Sequence, residues 1–273
     1  MPIDTDNFEF VRKLLRQESG VVLDDGKQYL VETRLTPVAR EAGFVSLEDF
    51  LTRLRGHGQN DLRTKAIDAL TTNETQFFRD VHPFDALKTS ILPDLIAKRS
   101  RLRHLNVWSA AASSGQEAYS LAMLLAEHFP ELSSWSVNII ASDISDQALE
   151  QAQRGSYRQL EVNRGVPAAM LVKYFRKQAT QWQISDEIRR RVEFRNINLI
   201  GEWPSLPPMD LVMLRNVLIY FDIATKRTIL RKLRHLLKPD GYLLLGSAET
   251  TVNLNPSFEI VQFDRTVCYR PRG

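Results

Sequence analysis

Near residue 100 the hydrophobic pattern of this chain changes period, and that switch limits the folds open to it. Before the switch the apolar residues recur at helical spacing. Phe8, Val11, Leu14 and Leu15 form one such stripe, and Gly20 should end it. Asp24-Asp25-Gly26 offers a cap to a second helix carrying Tyr29, Leu30, Leu35 and Val38, which Pro37 should kink or divide. Ser46-Leu47-Glu48-Asp49 opens a third helix through Leu54, and Leu62 to Leu70 reads as a fourth. After the switch, short apolar runs alternate with helical stretches. Leu105–Ala110, Val137–Ser142, Asp210–Leu214 and Gly241–Gly246 read as strands, and Phe258 to Tyr269 as two more. Between them lie helices over Glu117–Glu127, Asp146–Ala152 and Ile223–Leu237. Such alternation predicts a doubly wound, mostly parallel sheet. The expected organisation is an all-helical domain over residues 1–78 and an α/β domain over 79–273. Residues 155–195 interrupt the alternation as an inserted subdomain.

Charge and cysteine usage narrow the function classes. The chain's pI of about 9.0 suggests nucleic acid, but the distribution does not. Residues 1–75 carry a net charge of −3 and residues 76–273 a net +6, and the excess is scattered. Lys98-Arg99-Arg101-Arg103, Arg189-Arg190-Arg191 and the run from Lys226 to Lys238 read as solvated faces, not a phosphate-tracking groove. No apolar run approaches the ~20 residues of a membrane span, and no basic-then-apolar signal pattern opens the chain. Cys268 stands alone, which excludes an internal disulfide and a cysteine metal cage and fits a cytoplasmic location. No nucleic-acid partner, membrane insertion or metal is expected.

Open α/β sheets bind ligands beyond the C-terminal ends of their strands. Trp108-Ser109-Ala110-Ala111-Ala112-Ser113-Ser114-Gly115 follows the first strand, and its small residues allow close approach of a ligand or simply a tight turn. Asp143 ends the second strand, where a carboxylate can accept from both hydroxyls of a ribose; its plainer role is a cap for the next helix. An acid there disfavours a 2′-phosphate and so NADP. Glu117 lies in the first turn of the following helix, where the dipole alone would favour it. It could also pair with the ammonium of a methionine moiety, which NAD lacks.

Three longer strings carry a family resemblance. Thr72-Asn73-Glu74-Thr75-Gln76-Phe77-Phe78-Arg79 resembles the T-N-x-T-x-F-F-R signature of the chemotaxis receptor methyltransferases, the CheR family, although Thr71 and Glu74 also have capping-box spacing. Leu214-Arg215-Asn216-Val217-Leu218-Ile219-Tyr220-Phe221-Asp222 resembles that family's C-R-N-V-L-I-Y-F-D. Trp108 to Ser120 resembles its W-S-A-x-x-S-x-G-E-E-x-Y-S. The resemblance implies a Rossmann-like class I methyltransferase sheet, a helical N-terminal domain and a small β-subdomain inserted at 155–195. It implies S-adenosylmethionine as cofactor, S-adenosylhomocysteine as product, and glutamates on the cytoplasmic helical region of chemoreceptors as acceptors. By the same resemblance Asn73, Thr75 and Arg79 contact the cofactor from the interdomain side. Glu117 holds the methionine end, Asp143 the ribose, Asn198 and Leu199 border the adenine, and Arg215 and Asn216 line the floor. Arg79 and Tyr220 stand nearest the chemistry.

The chain departs from the pattern in places. Gln116 replaces the first acid of the usual pair, leaving Glu117 alone, and Ala112 replaces a frequent cysteine. The insert lacks the Gly-rich loop with which some members grip a C-terminal receptor pentapeptide, which argues against such tethering. In the early helix Lys27, Arg34 and Arg40 are few for a basic receptor-docking face. Chemically, a glutamate nucleophile with a reference pKa of about 4.3 is already ionised at neutral pH. No general base is needed, and alignment is what remains. Other readings stay open at this point. A nucleic-acid methyltransferase lacks the expected N/D-P-P-Y/F or Pro-Cys motif, a receptor-binding adaptor would have a decayed site, and an NAD-dependent dehydrogenase lacks the glycine fingerprint.

Overall fold

The computed structural model describes residues 3–56 and 58–273, and the chain divides into two compact units. The first comprises Met1–Thr72 together with Tyr220–Thr225. Its helices are α1 (Thr5–Ser19), α2 (Gln28–Glu41), α3 (Leu47–Leu54) and α4 (Asn60–Leu70). Gly20 ends α1 as expected, at φ 77 with its N–H on Arg16. Ser46 caps α3 through the Asp49 N–H. Two expectations are corrected. The Asp24–Gly26 turn supplies no cap, since Lys27 precedes α2 without a side-chain hydrogen bond. Pro37 does not divide α2. Pro37 and Thr33 both lie on the exposed face of the helix, so the hydrogen bond that proline cannot make is lost at the surface and not in the core. Val11, Val31, Leu35, Phe50, Leu54 and Ala66 are fully buried and form this unit's core. The late segment joins it through a Val21–Phe221 bridge, a Val22 N–H to Tyr220 carbonyl bond of 2.9 Å and an Arg16–Asp222 ion pair of 2.6 Å.

The second unit comprises Asn73–Ile219 and Lys226–Gly273. It begins with α5 (His82–Ala86), a π-helical turn and α6 (Leu92–Arg99). Then follow β1 (His104–Ala110), α7 (Gln116–His128), β2 (Ser136–Asp143) and α8 (Asp146–Arg154). The insertion holds β3 (Ser156–Arg158), α9 (Gln159–Asn163), α10 (Ala168–Tyr174), β4 (Phe175–Gln178), β5 (Gln181–Ile184) and α11 (Asp186–Arg189). The main sheet resumes with β6 (Val192–Asn196) and β7 (Met209–Leu214). After α12 (Ile223–Leu236), whose first turn counts with the helical unit, come β8 (Leu237–Leu245), β9 (Phe258–Phe263) and β10 (Thr266–Pro271). The seven strands lie in the order β6-β2-β1-β7-β8-β10-β9, with parallel neighbours throughout except at β10, which is antiparallel to both β8 and β9. Strand order reverses at β1, which pairs with β2 on one side and β7 on the other, and the crevice beyond that point is where such sheets take ligands.

Two details differ from the sequence expectation. The interrupting segment contains β6, which pairs in parallel with Ile139–Asp143 of β2; only β3, β4 and β5 make the separate small sheet. The run around Lys98–Arg103 is not wholly solvated. Arg99 is buried, its Nε on Asp210 at 2.6 Å and its two terminal nitrogens on Asp240 at 2.8 and 2.5 Å. Lys238 and the Asn106 N–H complete the shell around Asp210, which has no exposed surface. A charge with no access to water persists only when paired this fully. The small sheet packs through Tyr157 and Phe175, edge-on to Phe77 at 5.0 and 5.6 Å.

Candidate active site

The loop between β1 and α7 is built from left-handed residues: Ala111 (φ 56), Ser113 (φ 51) and Gly115 (φ 90). Non-glycine residues in this region are strained, and such strain concentrates at functional sites. At Gly115 a side chain is also excluded by space, since a Cβ would lie 2.9 Å from Ala152 Cβ. The loop is held from the end of β2. Asp143 accepts the Ser113 N–H on Oδ2 at 2.8 Å and the Ser145 N–H on Oδ1 at 3.0 Å. Ser145, not Asp143, caps α8, so the plainer role for that acid does not apply. Burial pushes the Asp143 carboxyl above its ordinary value, with the backbone N–H bonds of Ser145 and Ser113 opposing the shift. Each oxygen keeps a lone pair for a further donor, as a ribose diol requires.

Glu117 stands in the first turn of α7 and is nearly buried. Its Oε1 accepts from Ser109 Oγ at 2.9 Å and its Oε2 from Arg215 Nη1 at 2.9 Å. The neighbouring Gln116 points into the protein, accepting from Ser114 Oγ, and takes no part in this pairing. Arg215 Nη2 reaches the Asp80 carboxylate at 2.8 Å and the Arg79 carbonyl at 3.0 Å. Its guanidinium therefore ties α7 to the segment after Asn73. That segment is itself strained, with Phe78 (φ 47), Asp80 (φ 68) and Val81 (φ 49) all left-handed. No helix starts at Thr71–Glu74, so the capping-box spacing is not used; α5 begins only at His82. Instead the Asn73 carbonyl accepts from Ser113 Oγ at 2.7 Å, and the Phe78 N–H donates to Ser120 Oγ at 2.9 Å. Thr75 and Arg79 are half-buried in the same stretch, and Arg79 makes one long bond to the Glu74 carbonyl at 3.4 Å.

The stretch after β6 is shaped by its own hydrogen bonds. Asn198 Oδ1 accepts the Ile200 N–H at 3.1 Å, and the Leu199 carbonyl accepts from Trp203 Nε1 at 3.1 Å. Lys232 Nζ binds the Leu199, Ile200 and Gly201 carbonyls and lies 4.8 Å from the Trp203 ring centre. Burial holds its amine below the ordinary lysine value. Trp203 packs edge-on against Trp108 of β1 at 4.9 Å, which anchors this stretch to the central strand.

Nine of the ten sequence-predicted residues therefore lie in the α/β unit: Asn73, Thr75, Arg79, Glu117, Asp143, Asn198, Leu199, Arg215 and Asn216. Direct bonds join Glu117 to Arg215, Arg215 to Arg79, and Asn73 to the loop that Asp143 holds. Tyr220 ends a 3-10 turn (Leu218–Tyr220) and belongs by its contacts to the helical unit. Two acids escaped the sequence reading. Asp80 is the second partner of Arg215. Glu249, nearly buried, accepts the N–H groups of Asn216, Gly246 and Ile219. For Asp80 a signal existed, since it directly follows the matched string; for Glu249 there was none, because two of its three donors, Asn216 and Ile219, lie some thirty residues earlier.

A reversing parallel sheet, an acid at the end of β2 and a second acid at the start of α7 suit an adenosine ligand carrying a charged amine. The class is that of a Rossmann-like, S-adenosylmethionine-dependent methyltransferase, by the sheet and by the match of the α/β unit to a SAM binding domain. Residues 73–267 match the CheR methyltransferase, SAM binding domain, and residues 6–71 the CheR methyltransferase, all-alpha domain. The chain is 41% identical over 271 residues to chemotaxis protein methyltransferase 1 of Pseudomonas aeruginosa, covering 97% of this chain and 98% of that one. It is 38% identical to the chemotaxis protein methyltransferase Cher2 of Pseudomonas putida, with the same coverage of each chain. It is also 38% identical to the chemotaxis protein methyltransferase of Vibrio parahaemolyticus, over 94% of each. The chain belongs to the CheR methyltransferase family and is an S-adenosylmethionine-dependent protein methyltransferase of chemotaxis.

Proposed function

We propose that this enzyme esterifies glutamate side chains on the cytoplasmic helical region of chemoreceptors, releasing S-adenosylhomocysteine. Family membership supports the reaction class. The observation that carries the site assignment is the pair of buried acids flanking the left-handed loop: Asp143 for the ribose hydroxyls and Glu117 for the amine. When bound, the cofactor supplies a methyl on a sulfonium that departs as a neutral thioether. The protein therefore contributes orientation, not proton transfer. In this reading Asn73 and Thr75 border the cofactor, Asn198 and Leu199 flank the adenine, and Arg215 and Asn216 form the floor.

Arg79 is assigned to the substrate carboxylate. Both terminal nitrogens of Arg215 are committed to acids, whereas Arg79 has only its long bond to Glu74, leaving a planar fork for one carboxylate oxygen. Tyr220 steers the methyl or the same carboxylate. The domain division at 78/79 remains part of this proposal, with the inserted β-subdomain being the part of 155–195 that precedes β6. The two compact units part at Thr72/Asn73.

Receptor docking proceeds without a C-terminal pentapeptide. Supporting this, β4 and β5 are joined by Ala179 and Thr180 alone, a tight hairpin without a glycine loop. Arg34, one of the few basic residues of α2, is occupied by the Leu70 and Thr71 carbonyls at 2.7 and 3.0 Å. The reading places the enzyme in the cytoplasm; no described helix is long and apolar enough to cross a membrane. The test is methyl transfer from labelled cofactor to purified receptor cytoplasmic fragments. Glutamyl methyl esters release labelled methanol in mild alkali, and label stable to alkali refutes the acceptor assignment. Cofactor binding with no transfer to any fragment would favour the adaptor reading.

A further inference from the structure

We propose that Glu249 is a positioning residue for cofactor binding, one that sets the turn from which Arg215 and Asn216 project. The inference rests on the assignment of those two residues to the cofactor site.

The turn needs an outside brace. β7 ends at Leu214, Asn216 takes a left-handed conformation at φ 61, and the 3-10 turn starts at Leu218. Between strand and turn, the N–H groups of Asn216 and Ile219 have no regular backbone partner, and the Gly246 N–H after β8 is in the same position. One carboxylate satisfies all three. Glu249 Oε2 accepts from Gly246 at 2.7 Å and Asn216 at 2.8 Å, and Oε1 accepts from Ile219 at 3.2 Å. Bonds to an ionised acceptor are the strong kind, and they also compensate the buried charge. Residue 246 is shaped for this contact. A Cβ there would lie 2.7 Å from Glu249 Oε2 and 2.8 Å from both Asn216 N and Nδ2, so only glycine lets the three groups meet.

The consequence reaches the site through Arg215. Its backbone is fixed by this turn, and its side chain must span to Glu117 on one side and Asp80 on the other. A shift of the Asn216 peptide moves both anchors. Arg215 also holds the Arg79 carbonyl, and the turn runs on to Tyr220, so Glu249 acts first on the cofactor end of the site and only indirectly on the acceptor side.

The test uses the full chain with four substitutions, calorimetric titration of S-adenosylhomocysteine, thermal melting, and turnover at saturating methyl donor. Glu249→Ala removes all three acceptors and should weaken product binding about tenfold or more, equivalent to about 1.4 kcal/mol per tenfold. Turnover at saturating donor should fall by clearly less than the affinity does, because the brace reaches Arg79 and Tyr220 only indirectly. Glu249→Gln keeps one carbonyl oxygen for the Asn216–Gly246 pair and should recover most of the affinity. Gly246→Ala should reproduce the loss with the carboxylate present. Affinity within twofold of wild type in both Glu249→Ala and Gly246→Ala overturns the proposal. So does a Gln variant as weak as the Ala variant with an equal fall in melting temperature, which marks a purely structural brace. Should Glu249→Ala not fold, Gly246→Ala and Glu249→Gln decide on the same criteria. Glu117→Gln is the control: unchanged affinity there defeats the cofactor assignment itself, whereas weakened affinity there with normal Glu249 variants defeats only this inference.

Discussion

Replacing Asp143 by Asn separates a ribose acceptor from a loop brace, and the geometry sets the expected size. In the native protein each carboxylate oxygen takes one backbone N–H, from Ser113 and from Ser145. An amide has one acceptor oxygen, so in either orientation an NH2 group confronts one of those donors. An unpaired buried N–H costs about 1–3 kcal/mol. Against this, the substitution removes a buried charge whose desolvation already raises the Asp143 pKa, so the net loss of stability should be about 1 kcal/mol. Binding should suffer more. Hydrogen bonds to an ionised acceptor are roughly twice as strong as neutral ones, and a diol makes two, so affinity should fall roughly 10- to 100-fold. The pH dependence carries a sign. A folded-state pKa raised above the unfolded value means the protonated acid favours folding; that contribution is complete below the ordinary value of 3.8 and is lost as pH rises through the folded pKa. Ribose binding runs the opposite way and weakens as pH falls through that raised pKa. The assay is calorimetric titration of S-adenosylhomocysteine across pH alongside denaturant unfolding. Affinity within threefold of wild type and flat in pH, with reduced stability, would show that Asp143 only braces the loop.

Arg79→Ala should lower turnover about 100-fold while cofactor affinity changes less than about threefold, and Arg79→Lys should restore only part of the rate. Steady-state kinetics with a receptor fragment checks this, and unchanged turnover removes Arg79 from the mechanism. Gly165→Ala should destabilise the α/β unit by about 3 kcal/mol or more, because the backbone is left-handed (φ 103) and a Cβ would meet the Phe77 carbonyl oxygen at 1.8 Å. A denaturant midpoint equal to wild type contradicts that reading. Arg99→Met should cost about 3 kcal/mol by leaving Asp210 with Lys238 as its only cation. The hydrogen bond from Arg99 holds Asp240 below its ordinary value, so its stabilisation exists above that value and fades as pH falls. In the Met variant this acid-side loss should flatten.

The amino-acid sequence by itself determined what local chemistry can encode. Gly20 and Ser46 end and start helices through their own backbone and side-chain bonds, and they can be read without knowing the fold. The strand–helix alternation announced the parallel sheet, and the small residues after β1 were legible as the turn into α7. The strings around Asn73, Trp108 and Arg215 carried the family. Asp24 and Asp25 show the limit of such signals, since an available cap went unused.

Tertiary structure decided whatever depends on partners distant in sequence. Strand β6 was hidden inside the insertion because its pairing partner, Ile139–Asp143, lies about fifty residues away. Arg99 looked like one cation in a solvated run, and only folding brought Asp210 and Asp240 to it. Tyr220 through Thr225 joined the helical unit by pairing with Val21 and Val22. Glu249 carried no signal until the fold brought the N–H groups of Asn216 and Ile219 to join that of nearby Gly246 on its carboxylate. A charged side chain takes its role from the donors around it, and those donors are assembled by the sheet, not by neighbours along the chain.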